Sequence, residues 1–214
     1  TFKAEREENT RATDREKMAG KLEGDRVIKV AAICGSLRRA SKNRGILRAA
    51  MKMCAEGEVE GMEMEHIDIS VLPMINMDMV VDGKYPPIVE EFRSKIRAAD
   101  AVFFASPEYN YSVSPLLKNA LDWASRAPNA WGDKAAAIVS VEGSGKCGQY
   151  HLRQIGVFLD LHFINKPEFF LNGVEPPSKF DNNGDLIDEA VRLKLKQLLL
   201  SLHAFATRLI KGKC

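Results

Sequence analysis

Three short segments carry residue types that could do chemistry together, and each directly follows a run of apolar residues. The first is GSLRRASKN, Gly35 to Asn43, which leads into a stretch of helical spacing. A helix N-terminus offers unpaired N–H groups and partial positive charge, so backbone donors there can hold a phosphate. Ser36, Ser41 and Asn43 add side-chain donors, and Arg38 adds a planar guanidinium fork that matches phosphate oxygens. Neither GxxxxGK(S/T) nor GxGxxG occurs in this loop, which disfavours a nucleoside-triphosphate pocket or a dinucleotide turn and favours a phosphomonoester. The same residues also suit plain helix capping, with Arg38 and Arg39 solvated.

The second segment is SPEYNYSVSP, Ser106 to Pro115, after the apolar run AVFFA. Pro107 restricts the turn, Tyr109 and Tyr111 supply aromatic faces, and Asn110 with the exposed backbone offers donors and acceptors to the edge of a heterocycle. Such a loop suits a planar cofactor; alternatively, the tyrosines pack beneath it and Glu108 faces water. The third segment, EGSGKCG from Glu142 to Gly148, holds three glycines, which let backbone N–H groups come close to a ligand. Lys146 could stabilise negative charge on a reduced ring there, although a flexible strand-to-helix connection would look alike. Glu108 and Glu142 do not make an acid/base pair, and no Ser-His-Asp set with a nucleophile elbow occurs. No catalytic side chain is therefore assigned, and the chemistry is expected to reside in a cofactor.

The 214 residues suffice for one sizeable core and not for two ordinary domains. Hydrophobic residues make up 45% and charged residues 28%, as in a soluble globular chain, and no stretch has the apolar length of a membrane span. The 31 basic and 29 acidic side chains leave a formal charge of +2, which gives no argument for a nucleic-acid partner. Cys34, Cys54, Cys147 and Cys214 form no CxxC pair, and the four histidines lack HExxH spacing. No metal site is expected, and a reducing, cytoplasmic setting fits. Cys34, at the end of a buried strand, reads as an inert small hydrophobe.

Positioning these segments requires regular elements between them. Residues 1 to 26 contain seven basic and seven acidic side chains but only Phe2, Met18 and Leu22 as large apolar residues. They read as a disordered or loosely helical extension, with the folded domain spanning 27 to 214. Val27 to Cys34 reads as a strand buried on both faces, Asn43 to Ala55 as an amphipathic helix and Met62 to Ile69 as a second strand. Pro86 and Pro87 open a helix, Ala101 to Ala105 is a central strand, and Ser114 with Pro115 caps and starts another helix. Ala135 to Val141 is a fourth strand, Tyr150 to Leu159 a helix, and a fifth strand falls within Leu161 to Leu171. A long Leu-rich helix covers Leu186 to Ile210. Alternation of this kind specifies a three-layer α/β sandwich, a flavodoxin-like five-stranded parallel sheet in the order 2-1-3-4-5. Its ligand crevice would lie at the carboxyl ends of strands one and three, where the first two segments emerge.

GSLRRASKN, SPEYNYSVSPLLKNALDWASR and QYHLRQIGVFLDLHFINKPEF together resemble the NADPH-dependent FMN reductase family, in particular its plant quinone oxidoreductases; bacterial quinone, chromate and azo reductases are similar. The resemblance runs from about Val27 to the C-terminus. It implies noncovalent, tight binding of FMN, NADPH or NADH as electron donor, and assembly as a homodimer or homotetramer. By carry-over, Ser36, Arg38, Ser41 and Asn43 would hold the FMN phosphate and Pro107, Glu108, Tyr109 and Asn110 would border the isoalloxazine. Gly143, Ser144 and Gly145 would approach the pyrimidine edge, and Leu117 to Arg126, with Asn119, Asp122 and Trp123, would contribute to a subunit interface. The loop after the fourth strand, Glu142 to Gly148, departs from the plant relatives: it is shorter and carries Glu142, Lys146 and Cys147. His151 is kept as structural or interfacial.

The implied activity is ping-pong, two-electron reduction of quinones, and of other small acceptors such as chromate or azo compounds. The alternative is an FMN electron carrier of the flavodoxin kind that docks onto protein partners. Such carriers use an acidic surface, which this near-neutral chain lacks.

Overall fold

The computed structural model describes residues 26–141, 146–173 and 175–212. Most of the expected extension, residues 1 to 25, lies outside them. Strands β1 (Ile28–Cys34), β2 (Met62–His66), β3 (Ala101–Ala105), β4 (Lys134–Val141), β5 (Leu161–Phe163) and β6 (Phe170–Leu171) form one parallel sheet. The order is β2-β1-β3-β4-β5, with β6 also on β4, so the expected topology holds and a short sixth strand is added. Helices α1 (Lys42–Ala55), α2 (Pro87–Ala98), α3 (Pro115–Ser125), α4 (Lys146–Leu159) and α5 (Glu189–Lys211) cover its two faces.

Side-chain alternation along the buried strands builds two cores. Val30, Ala32 and Cys34 of β1 face α1 and α5, together with Phe103 of β3 and Val139 of β4. Ala31 and Ile33, Val102 and Phe104, and Ala136 and Ile138 face α2, α3 and α4. On the first face, Ala101, Ala105, Ala135 and Ala137 leave room for Leu195, Leu198, Leu199 and Leu202 of α5 to pack down on the sheet. Phe103 and Phe104 are wholly buried, each contributing about 2–3 kcal/mol by removal from water. β2 is the edge strand: Met62 points inward while Glu63, Glu65 and His66 stay exposed, and such charges discourage edge-to-edge pairing.

The second and fifth strands differ from expectation for local reasons. β2 ends at His66 rather than Ile69 because the chain turns away at Asp68, whose carboxylate accepts the N–H of Ser70 at 2.9 Å. The fifth strand is split because its register to β4 slips, from Leu161 opposite Lys134 to Phe170 opposite Ser140. Three additional residues are accommodated in the interruption, where Pro167 has no N–H to give the ladder.

Asn119 and Trp123, expected to contribute to a subunit interface, are already enclosed within the protomer. They are 5% and 0% exposed, and both donate to the carbonyl of Pro73, while Asn119 Oδ1 accepts the N–H of Ile75. They fasten the loop after β2 to α3. The far end of α3 is held by Arg93, which is itself fully buried. Nη1 donates to the carbonyls of Trp123 (2.8 Å) and Arg126 (2.9 Å), Nη2 to those of Ala127 and Pro128 (3.4 and 3.0 Å), and Nε to Glu90 (3.3 Å). The guanidinium also lies 4.1 Å from the centroid of the Tyr85 ring. One cation thus satisfies carbonyls at a helix C-terminus and complements its dipole. Arg93→Met would strand these acceptors in an apolar setting. The expected loss is about 3 kcal/mol or more, read as a lower urea midpoint with an unchanged denaturant slope.

Candidate functional site

β1 and β3 pair with Cys34 opposite Ala105, so their following loops leave the sheet side by side. The N–H of Gly35 donates to the carbonyl of Ala105 at 2.9 Å. A Cβ on Gly35 would stand 2.9 Å from Ser106 Oγ and 3.0 Å from Ser114 Oγ. A glycine lets the two loops approach this closely without displacing either hydroxyl. Ser41 and Ser114 are the N-caps of α1 and α3, accepting from Arg44 N and Leu117 N. Two helix N-termini therefore flank the junction.

In the first loop Ser36, Ser41 and Asn43 are each 3% exposed, and Arg38 is exposed. Ser36 Oγ accepts the N–H of Arg38 at 3.4 Å. The Asn43 amide is committed elsewhere: Nδ2 donates to Val141 O at 3.2 Å and Oδ1 accepts Val141 N at 3.0 Å. This pair ties the start of α1 to the end of β4, a role its sequence neighbours do not announce.

A support that the sequence did not reveal comes from Asp181 to Asp185. Asp181 Oδ1 accepts the N–H groups of Asn183 and Asp185, which forms a tight turn carrying Gly184 at φ 78°. Arg48 Nε bonds Asp185 Oδ1 at 2.6 Å, and Lys42 Nζ donates to Gly173 O at 2.8 Å. The turn lies so close to α1 that a Cβ on Gly45 would fall 1.7 Å from Gly184 O. Asp, Asn and Gly in succession are legible as a turn. What the turn presses on is not.

The loop after β3 (Ser106 to Pro115, here the third loop, with Glu142 to Gly148 after β4 the fourth) closes on itself. Tyr109 and Ser112 exchange backbone bonds of 2.9 Å in both directions around Asn110 (φ 50°) and Tyr111 (φ 62°). Positive φ at both central residues is the geometry of a type I′ turn. Glu108 does not simply face water, because Oε2 accepts the N–H of Gly148 at 2.8 Å. Ser112 Oγ and His151 Nδ1 lie 2.7 Å apart, a second tie to α4 and a structural use of His151. Pro107 is half-buried at the root of the loop, and Tyr109 and Tyr111 keep their rings 45% and 76% exposed at the rim. Gly143, Ser144 and Gly145 lie outside the described residues; α4 begins at Lys146, four residues before the expected Tyr150. Thus the first and third loops come together, and the fourth is represented by the first turn of α4 alone.

A groove of about 550 Å³ elsewhere, between the edge strand and α2, has Glu63, Glu65, Glu91 and Lys95 on its walls. Lys95 is already paired with Glu65 and Glu91, so this groove presents no converging donors comparable to those at Gly35. Among the described residues no group of His, Cys, Asp and Glu could hold a metal, and no helix is long and apolar enough to cross a membrane. Burial pushes the Cys34 thiol up, against smaller opposing effects of Ser36 and Arg44. Burial likewise pushes Cys54 up to about 11.

Comparison with known proteins gives a consistent result. The model of the NADPH-dependent FMN reductase family matches residues 28–175. The chain is 61% identical over 190 residues to an NAD(P)H:quinone oxidoreductase of Solanum tuberosum, covering 88% of this chain and 97% of that one. It is 62% identical over 189 residues to an NADPH:quinone oxidoreductase of Arabidopsis thaliana, covering 87% and 95%. Among solved structures, the flavoenzyme NAD(P)H:(acceptor) oxidoreductase FerB of Paracoccus denitrificans superposes with a TM-score of 0.70 at 29% identity, covering 86% and 98%.

Gly45→Ala should destabilise the protein by about 1–3 kcal/mol through forced overlap with Gly184, and should loosen the first loop. Chemical denaturation and limited proteolysis near Ala40 would read this. In the native protein an alkylating reagent at neutral pH should label Cys147, which is exposed, and spare Cys34 and Cys54 until the chain unfolds, as peptide mapping would show.

Proposed function

The chain belongs to the NADPH-dependent FMN reductase family, and on that premise we propose that it is an FMN-dependent NAD(P)H:quinone oxidoreductase. The observation that carries this reading is the contact of the two loops at Gly35, which joins a phosphate-type cradle to an aromatic-rimmed platform. The donor set fits FMN: buried serines and a helix N-terminus suit a phosphomonoester, and the adjacent turn suits a flat heterocycle. Ser36, Arg38 and Ser41 would hold the phosphate by side chain. Asn43, whose amide is spent on Val141, would serve through its first-turn backbone N–H. Pro107, Tyr109 and Asn110 would border the ring system, with Glu108 holding α4 beside it. Gly143, Ser144 and Gly145 would line its remaining edge.

When bound, FMN would supply two-electron chemistry between NADPH or NADH and a quinone, with chromate and azo compounds as further acceptors. The chain's own residues contribute orientation and electrostatics. The paired N-termini of α1 and α3 stabilise negative charge, the rigid Tyr109–Ser112 turn fixes the platform, and the exposed tyrosine rings offer a stacking surface to flat substrates. No side chain is assigned as acid or base. One nicotinamide and one quinone would use this surface in alternation, which gives ping-pong kinetics.

Residues 27 to 214 would form the reductase domain. A homodimer or homotetramer, located in the cytoplasm, completes the proposal. Val157 and Phe158 on α4 support self-association, because they are 81% and 83% exposed and would be covered by a partner.

Reconstitution of the purified protein with FMN should give a yellow species that NADPH bleaches without oxygen and that one equivalent of benzoquinone restores. Initial-rate lines should run parallel when both substrates are varied. Failure to take up FMN, or intersecting lines, would contradict the proposal.

A further inference from the structure

Arg44 has no part in the roles described so far, yet it reaches the back of the phosphate-type cradle from within the fold. It stands in the first turn of α1, with its backbone N–H held by Ser41 Oγ at 3.3 Å. Its Nη2 donates to the main-chain carbonyl of Ser36 at 3.2 Å, and the Cys34 thiol leans toward that same carbonyl at 3.9 Å. Its charge is a lesser influence on Cys34, His66 and Asp68, after burial for the first two and the Ser70 hydrogen bonds for the third. Its Nε is buried with no hydrogen-bond acceptor among the described residues. A donor left unpaired in this way carries a desolvation cost, so the side chain is held there by the contacts it does make.

The consequence follows from peptide geometry. The Ser36–Leu37 bond is trans; in a planar trans peptide the C=O and the N–H point in opposite directions. With the Ser36 carbonyl drawn inward by Arg44, the Leu37 N–H is turned outward, away from the protein interior. Ser36 Oγ already accepts from Arg38 N, so its hydroxyl proton can also be donated outward. A reversed peptide would instead present carbonyl lone pairs to an incoming dianion.

Resting on the assignment of the FMN phosphate to this loop, we propose that Arg44 is a positioning residue, which locks the Ser36–Leu37 peptide with its N–H toward the phosphate. It acts from behind, through Ser36, and does not itself touch the ligand. Its half-buried charge reinforces the attraction for a dianion without occupying the cradle.

The test separates FMN from riboflavin, which has the same ring system and no phosphate. Apoprotein of the parent and of Arg44→Met is titrated with each flavin, and binding is followed by fluorescence quenching. The Met variant should bind FMN about tenfold or more weakly and riboflavin within about twofold of the parent. Arg44→Lys, which keeps a charged donor, should recover part of the difference. In the parent apoprotein, the Leu37 amide proton resonance should move downfield with FMN and not with riboflavin, a readout independent of whether either variant folds. Equal weakening of both flavins, unchanged FMN affinity, or a Leu37 amide indifferent to FMN would overturn the role of Arg44. A parent apoprotein that takes up neither flavin would instead remove the functional reading, and this role with it.

Discussion

Parallel pairing of β1 with β3, in the register that sets Cys34 opposite Ala105, is the constraint on which the site depends. Two neighbouring parallel strands that end at one level must release their loops at one level. The loops then meet closely over Gly35, where a side chain would crowd the hydroxyls of Ser106 and Ser114. Since a helix begins a few residues beyond each loop, the same register brings two N-termini to one place. Neither strand alone, nor either helix, would create the resulting field.

Around that junction, polar side chains bind mostly to the protein itself. Asn43 joins α1 to β4, Glu108 joins the third loop to α4, and the Asp181–Asp185 turn backs α1 through Gly184 and Arg48. Groups fixed in this way lose little further freedom when a ligand arrives, so a cradle preorganised for an anion forfeits less on binding.

Two arginines show how the same side chain serves the frame and the site differently. Arg93 is enclosed and donates to four carbonyls and a carboxylate, which leaves it nothing to offer a ligand. Arg44 grips the carbonyl of Ser36 and leaves Nε unpaired. The first is a completed strut. The second is incompletely satisfied, and it stands behind the loop proposed to take the phosphate.

The alternation of strands and helices, the sheet order and the meeting of the loops after β1 and β3 were legible in the sequence. Their signals are local: apolar runs of strand length, Ser-Pro at a helix start, and glycine at a strand end. The partners of those loops were not legible. Asn43 reads as a ligand donor until Val141 is seen 98 residues away taking both ends of its amide, and Arg38 stands out in the loop while Arg44 hides in the helix. Likewise, nothing in the sequence shows that Asn119 and Trp123 share the carbonyl of Pro73. Periodicity and turn chemistry depend on neighbours in the chain and so were determined by the sequence itself. Which donor meets which acceptor depends on the packing of elements far apart along it, and only the tertiary structure decided that.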